Sequence, residues 1–530
     1  MRPSTDATRG ARKQHRHRRN ESEDFTDDAD SKTFRLADAH FICEIFVICG
    51  LMPLPDLIEI TPLTGPVRAE ITVPGSKSIT NRALVLAALA DGAVTLEGAL
   101  WSEDTQVMVN CLRRLGFDAS VAPDPNEFCN RTISVQGRGG EIPRAGAADA
   151  PLELFVGNAG TAARFLAALV CLGRGVYRLS GVPRMHERPQ AALFSALREL
   201  GYRVEAENEN DKLPALIFGR RNRGNETLTE ESQRLLTSSP TEMRKARVSI
   251  EASSQFASAL LLCAERGGWQ IEVVGENAEE SPYVWMTTKM IKVFPKRGGN
   301  FQIEPDASSG SYFWGAGWLL GTCEFASFMK EMVQNSDPGT QRTVATDFAK
   351  RGRSNIRVAS WPESEWQKDA DFTIFATSPV RSLAAEISRT RDLADSIMTA
   401  IAIAPFASSE VRFTDLGRLR LQECERVVAL RTELTRCGAK VIETGDTLEV
   451  FPSRLHGAEI ETYNDHRMAM CFAVLGLKVP GIKLRNPSCV KKTFPNFFQK
   501  LAAAPPHGLG VEIRDGHTGR RLTHEELFAD

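Results

Sequence analysis

The sequence holds no C-x-x-C pair, no apolar run of membrane-spanning length and no surplus of either charge. Its eleven cysteines, odd in number and scattered from Cys43 to Cys489, offer neither the spacing of a zinc ribbon nor a disulfide framework, so a reducing cytoplasm is the expected compartment. The longest apolar stretch, Phe41–Leu54, is broken by Glu44 and Pro53 and falls short of the ~20 residues that span a bilayer, so no transmembrane helix is predicted. Basic residues number 65 and acidic ones 67, a formal net charge of −2. That balance excludes a chain whose main business is coating nucleic acid or an anionic membrane, while remaining compatible with a local basic pocket.

What is present is a globular composition, 42% hydrophobic and 25% charged, with 40 Gly and 27 Pro. At 530 residues, a prior of roughly 150 residues per domain suggests about three domains, and large α/β folds reduce that to two. The front of the chain differs from the rest: positions 1–19 carry seven Arg or Lys against one acid, and positions 21–30 carry six Asp or Glu. Such charge blocks repel themselves, so residues 1–51 are expected to be a disordered tail or a mis-assigned start upstream of Met52. A transit peptide would be poorer in acids, and a secretory signal would place its apolar stretch earlier.

Six times a short cluster of Ser, Thr, Asn, Asp or Gly is followed at once by about ten apolar residues rich in Ala and Leu. The copies are Gly75–Leu89, Gly157–Leu169, Ser253–Leu262, Asp306–Gly317, Asp395–Ala404 and Asn464–Leu475. A recurrence of this kind marks a repeated supersecondary unit. Each copy reads as a helix that opens on capping residues and is apolar nearly all round, and therefore buried at the centre of its domain. Between copies, alternating segments such as Ala93–Gly98, Val176–Gly181 and Ile482–Pro487 read as strands. Amphipathic stretches ending in Gly, such as Met108–Gly116, Ala192–Gly201 and Val427–Gly438, read as outer helices. Six units over two domains give three each.

The unpaired N–H groups and positive dipole end of a buried helix form an anion site. Ordinary capping explains any single copy, but Lys77, Arg82, Arg164 and Arg467 stand in or beside these turns, which favours a small polyanion as ligand.

Several of these segments together carry a family resemblance. They are Pro74-Gly-Ser-Lys-Ser-Ile-Thr-Asn-Arg-Ala83, Gly157-Asn-Ala-Gly-Thr-Ala-Ala-Arg164, Gly181-Val-Pro-Arg-Met-His-Glu-Arg-Pro189, Ser253-Ser-Gln-Phe256 and Asp306-Ala-Ser-Ser309. Tyr463-Asn-Asp-His-Arg-Met-Ala-Met470 and Pro487-Ser-Cys-Val-Lys-Lys-Thr-Phe-Pro495 complete the set. In this order they resemble the 5-enolpyruvylshikimate-3-phosphate synthases, enolpyruvyl transferases of the shikimate pathway, from about Leu57 to Leu501. The resemblance implies an α/β (α+β) fold of two domains, with six βαβαββ-like units, three per domain, and buried parallel helices. It implies a continuous domain 74–305 with the Lys77 and Gly160 loops, and a discontinuous domain, 52–73 plus 306–530, with the catalytic Asp and Glu.

The implied chemistry moves the enolpyruvyl group of phosphoenolpyruvate to the 5-hydroxyl of shikimate 3-phosphate with release of phosphate, through a tetrahedral intermediate and without metal or organic cofactor. A monomer acting on these two small anions, with no nucleic acid or membrane partner, is expected. By motif position Lys77, Gly160, Thr161, Arg188, Gln255, Arg426, Arg467 and Lys492 resemble the phosphoenolpyruvate set. Lys77, Ser78, Arg82, Ser253, Ser254, Gln255 and Asp395 resemble the shikimate 3-phosphate set, with Tyr283 and Gln422 also at acceptor-side positions. Asp395 resembles the base for the hydroxyl, Glu423 the residue that moves a proton at the methylene, and Lys77, His466 and Lys492 the groups that meet the departing phosphate.

Four of these residues also have a plainer role open to them. Asp395 could cap its helix, His466 could be a core histidine, Glu423 could lie on a solvated face, and Arg188 could pair with Glu187. Three positions depart from the family pattern, all on the acceptor side: Glu280 stands where Ser is usual, Arg418 replaces Asn and Gln422 replaces Lys. Arg418 or Arg420 could restore the lost cation. These changes leave two other readings open: a degenerate paralogue that binds phosphoenolpyruvate or a similar anion without turnover, or an enolpyruvyl transferase with a different acceptor.

Overall fold

The computed structural model describes residues 53–220, 244–275, 281–334, 355–377 and 385–529, with side chains described up to 321 in the long helix that ends at 334. Residues 1–51, Met52 and Glu280, on which expectations were placed, lie outside the described residues. Every element named below belongs to the compact unit Pro53–Asp530.

The six repeated clusters all become helices: α1 (Lys77–Leu89), α2 (Gly160–Val170), α3 (Gln255–Gly267), α4 (Ala307–Gln334), α5 (Ile397–Ile403) and α6 (His466–Gly476). Their lack of a polar face has the expected consequence, since every residue of α2 and of α5 is buried. Around them the described strands form six sheets. Four have four strands in one recurring pattern, a parallel pair at one edge followed by two antiparallel pairings. Leu152–Phe155, Val176–Ser180, Ala215–Phe218 and Arg203–Ala206 are one instance. In four of the six sheets the parallel pair straddles one buried helix, because parallel neighbours need a crossover and a helix supplies it. Among the described residues the other two sheets consist of the parallel pair alone, Arg244–Ser249 with Trp269–Val274 and Arg68–Ile71 with Asn355–Val358.

Two hydrophobic cores result. One gathers residues from Ile79 to Ile303 around α1, α2 and α3; the other gathers Leu54–Val73 and Tyr312–Ala529 around α4, α5 and α6. The chain passes between these lobes twice, and each passage exchanges a strand. Arg68–Ile71 precedes α1 but pairs in the second lobe, while Gly299–Gln302 precedes α4 but pairs with Ala93–Leu100 in the first. The two passages are themselves tied, Ser76 donating to the Glu304 carbonyl at 2.8 Å and Asp306 to that of Pro74 at 2.9 Å. Asp306 also accepts from the backbone of Ser309 in α4 and of Lys77 in α1, so one carboxylate serves the first turns of a helix in each lobe.

Candidate active site

The N-termini of the buried helices open onto one cleft between the lobes. Lys77 and Ser78 of α1, Gly160 and Thr161 of α2, and Ser253, Ser254 and Gln255 at the start of α3 line it from the first lobe. Asp395, just before α5, and His466 and Arg467 of α6 line it from the second. A smaller adjoining cavity shares Lys77, Ser78, Tyr283 and Arg467 and adds Asp306, Ser308 and Ser309 from the start of α4. Arg82, Arg188, Tyr283, Gln422, Glu423 and Arg426 complete the expected residues on the main cleft. Lys492 stands behind it, its Nζ 3.0 Å from Glu423. Eight lysines and arginines line the cleft against three acids, Asp104, Asp395 and Glu423, so a chain of net charge −2 carries a strongly cationic interior.

Local packing explains how each group is presented. Glycine at 160 leaves room for two guanidinium groups at the start of α2, since a Cβ there would lie 2.5 Å from Arg164 Nη1 and 2.8 Å from Arg188 and would push both aside. Arg188 donates to the carbonyl of Asn158 at 3.2 Å, while Glu187 pairs with Arg184 instead. Arg426, 1% exposed, is gripped by Asp465 at 2.7 and 3.2 Å and by Glu423 at 2.8 Å, with Gln422 Oε1 accepting a further bond. Asp465 also accepts from Arg467 N at 2.9 Å and thereby caps α6. Arg82, also 1% exposed, donates to Thr287, Ser258 and the carbonyls of Ser78 and Tyr283, so most of its donors serve the first lobe rather than the cleft.

The carboxylates divide sharply. Asp395 does not cap α5; that role belongs to Asp369, which accepts from Ser396 N at 2.7 Å. The Asp395 carboxylate instead meets Arg389 at 2.6 Å and Arg467 at 3.3 Å. Burial alone would raise its pKa, but Arg467, Arg389 and Arg426 hold it well below the usual carboxylate range. Glu423 is likewise held down against burial by Lys492, Arg426 and Arg188, so it is ionised and faces inward rather than to solvent. His466 is 2% exposed with neither ring nitrogen hydrogen-bonded, and burial, Lys77 and Arg467 push its pKa well below the ordinary imidazole value. It is a neutral imidazole.

Sequence reasoning missed Arg389, Asp369 and Asp104. Asp104 forms an ion pair with Lys77 at 3.2 Å, and Arg389 lies six residues before Asp395 on the turn that presents it. The spacing Arg389-Thr-Arg-Asp-Leu-Ala-Asp395 was the available signal for the arginine. Nothing local marked Asp369, which the fold brings from 27 residues away.

Residues 63–501 match the family model described as EPSP synthase (3-phosphoshikimate 1-carboxyvinyltransferase). Relatives named 3-phosphoshikimate 1-carboxyvinyltransferase include one from Nostoc sp., 36% identical over 467 residues, covering 84% of this chain and 99% of its own. Another, from Opitutus terrae, is 36% identical over 461 residues, covering 85% and 98%. Among solved structures, an EPSP synthase from Acinetobacter baumannii aligns with a TM-score of 0.54 at 19% identity, over 87% of this chain and all of that one. An enolpyruvyl transferase from Streptomyces tendae aligns with a TM-score of 0.54 at 16% identity, over 87% and 99%. At those identities the structural likeness shows the fold, an α/β arrangement shared with the enolpyruvyl transferases.

Proposed function

The chain belongs to the EPSP synthase family, and on that footing we propose that it transfers the enolpyruvyl group of phosphoenolpyruvate to the 5-hydroxyl of shikimate 3-phosphate, releasing phosphate, in aromatic amino acid biosynthesis. The observation that carries this reading is the convergence of buried helix N-termini and eight cations on a cleft that holds two ionised carboxylates. Two anionic substrates need such a field, and a reaction that moves two protons needs such groups.

Asp395 is ionised between Arg389 and Arg467 and suits the base that takes the hydroxyl proton. Glu423 sits against Lys492 and Arg426, the cations that would bind phosphoenolpyruvate. An anion bound to them offsets their pull and raises the affinity of Glu423 for a proton, which suits a group that gives a proton to the methylene on addition and takes one from the methyl on elimination. Lys77, Arg188, Arg467 and Lys492 stabilise the departing phosphate. His466, neutral and unpartnered, contributes a hydrogen bond rather than a cation.

We further infer that 52–73 plus 306–530 and 74–305 behave as two domains that close on the substrates, which their separate cores support. Both walls of the cleft come from one chain, which favours a functional monomer. No helix among the described residues is long and apolar enough to cross a membrane, and the eight described cysteines are free thiols, as a reducing cytoplasm would leave them.

Phosphate release from the full chain with phosphoenolpyruvate, with and without shikimate 3-phosphate, tests the proposal. Acceptor-dependent release is expected. Binding without release would point to a non-catalytic paralogue, and release that requires another hydroxyl compound would point to a different acceptor.

A further inference from the structure

Seven of the eight cations on the cleft have partners within the protein. Lys77 has Asp104, Arg164 has Gln255, Arg188 has the Asn158 carbonyl, Arg389 and Arg467 have Asp395, Arg426 has Asp465, and Arg82 has Thr287. Of the eight, Arg418 alone has no hydrogen bond or ion pair among the described residues, although it lines the cleft and is half-buried. Arg389, 6% exposed and with its Nε unpartnered, lies near enough to repel it. Burial and that repulsion weaken the hold of Arg418 on its proton, and Asp395 and Glu251 only partly offset them. A half-buried guanidinium without a protein partner, beside a second whose Nε is also unpartnered, calls for an anion to satisfy it.

Across the cleft the first lobe presents Ser253 and Ser254 at the start of α3, two hydroxyls beside a 13-residue helix whose N-terminus faces the cleft, and Glu251 of the same loop is near enough to act on Arg418. Arginine and two hydroxyls at the positive end of a helix dipole together form a donor set for a phosphomonoester dianion. The other residues that could fill this role are committed elsewhere. Arg420 bonds Glu425, Glu443 and Asp446 at 2.6 to 3.0 Å, and the Gln422 side chain accepts from Arg426.

We propose that Arg418, backed by Arg389, binds the phosphate of the acceptor and so determines the preference for a phosphorylated over an unphosphorylated acceptor. This assignment rests on the enolpyruvyl-transfer reading above. The test measures phosphate release by the full chain while shikimate 3-phosphate and phosphoenolpyruvate are varied separately, in the wild type and in Arg418→Ala, Arg418→Lys and Arg420→Ala. Arg418→Ala should raise the KM for shikimate 3-phosphate roughly 10- to 100-fold and leave that for phosphoenolpyruvate within about twofold. Arg418→Lys should recover part of the loss, since lysine keeps the charge but not the fork, and Arg420→Ala should change neither KM.

Shikimate, which lacks the phosphate, supplies the second arm: as a ligand it should bind wild type and Arg418→Ala within about twofold of each other. Arg418 has no protein partner to lose, so the variant should melt with the wild type. If the wild type turns over with shikimate 3-phosphate but Arg418→Ala keeps its KM, or loses shikimate binding equally, the assignment alone is overturned. If the wild type shows no acceptor-dependent release, the enolpyruvyl-transfer reading is overturned and the assignment with it.

Discussion

Asp369 and Asp395 lie at the two ends of one short hydrogen-bonded arrangement, and their surroundings drive their carboxyls apart. Asp395 meets two guanidinium groups; Asp369 accepts a backbone N–H from Ser396, and burial followed by the charge of Asp395 pushes its pKa up to about 7. As pH rises through that value Asp369 ionises and places a second negative charge beside the proposed base. Asp369→Asn keeps the acceptor for Ser396 but removes the titration, so the kcat profile should lose an inflection near neutrality. Stability follows the same sign. The cost of the buried carboxylate is absent below its unfolded pKa of about 3.9, grows as pH rises and is complete above about 7, so the substitution should stabilise the chain more above neutrality than in acid. At Asp395 the choice of replacement matters. Asp395→Asn should lower kcat by roughly 10²- to 10⁴-fold. Asp395→Ala should in addition lose about 3–5 kcal/mol in urea unfolding, because it strips the counter-charge from two buried arginines.

At the scale of the element, the turn that delivers Asp395 is unusual. Residues Arg389–Leu393 form a wide π-type turn, a 3₁₀ turn follows, and Ala394 between them is held at φ +46°, ψ −127°, where a side chain is strained. Such strain, about 1–3 kcal/mol, persists only where the surroundings enforce it, here the Asp369–Ser396 bond and the Arg389–Asp395 pair. Ala394→Gly relieves it but adds backbone freedom and removes a buried methyl. Unfolding free energy should therefore change by less than about 1 kcal/mol. Turnover should fall, because the aspartate is no longer preset. A measured loss of stability with full activity would show that the strain plays no part in placing it.

At the scale of the whole molecule, the cleft depends on how the two lobes are joined. Besides the paired crossings, a buried network links them: Glu127 of the first lobe accepts from Asn496 at 2.8 Å and Lys500 at 2.7 Å in the second, and from Thr72 at 2.7 Å, just past the strand Arg68–Ile71. Glu127 is 4% exposed, so its removal leaves a poorly solvated lysine. Glu127→Ala should cost about 3 kcal/mol in urea unfolding and raise the KM for both substrates together, since it disturbs the joint and no single subsite. A loss in stability without any change in KM would confine the network to folding.

The repeat, the buried helices and the cationic caps were legible in the sequence because they are local: a capping cluster followed by an all-apolar run dictates a helix and its burial wherever it occurs. By the same local logic Lys77, Arg82, Arg164 and Arg467 could be singled out from their turns, whereas Arg188, Asp395, Glu423 and Arg426 were marked only by the resemblance of their motifs to a family. Other features were decided only by tertiary structure. The exchange of Arg68–Ile71 and Gly299–Gln302 between lobes, the capping of α5 by Asp369, the neutrality of His466 and the solitary state of Arg418 each depend on groups distant in sequence meeting in a desolvated space. Hydrophobic pattern carries no record of which partner a buried charge will meet, and it is that partner, through burial and Coulomb interaction, that sets the charge state on which the proposed chemistry rests.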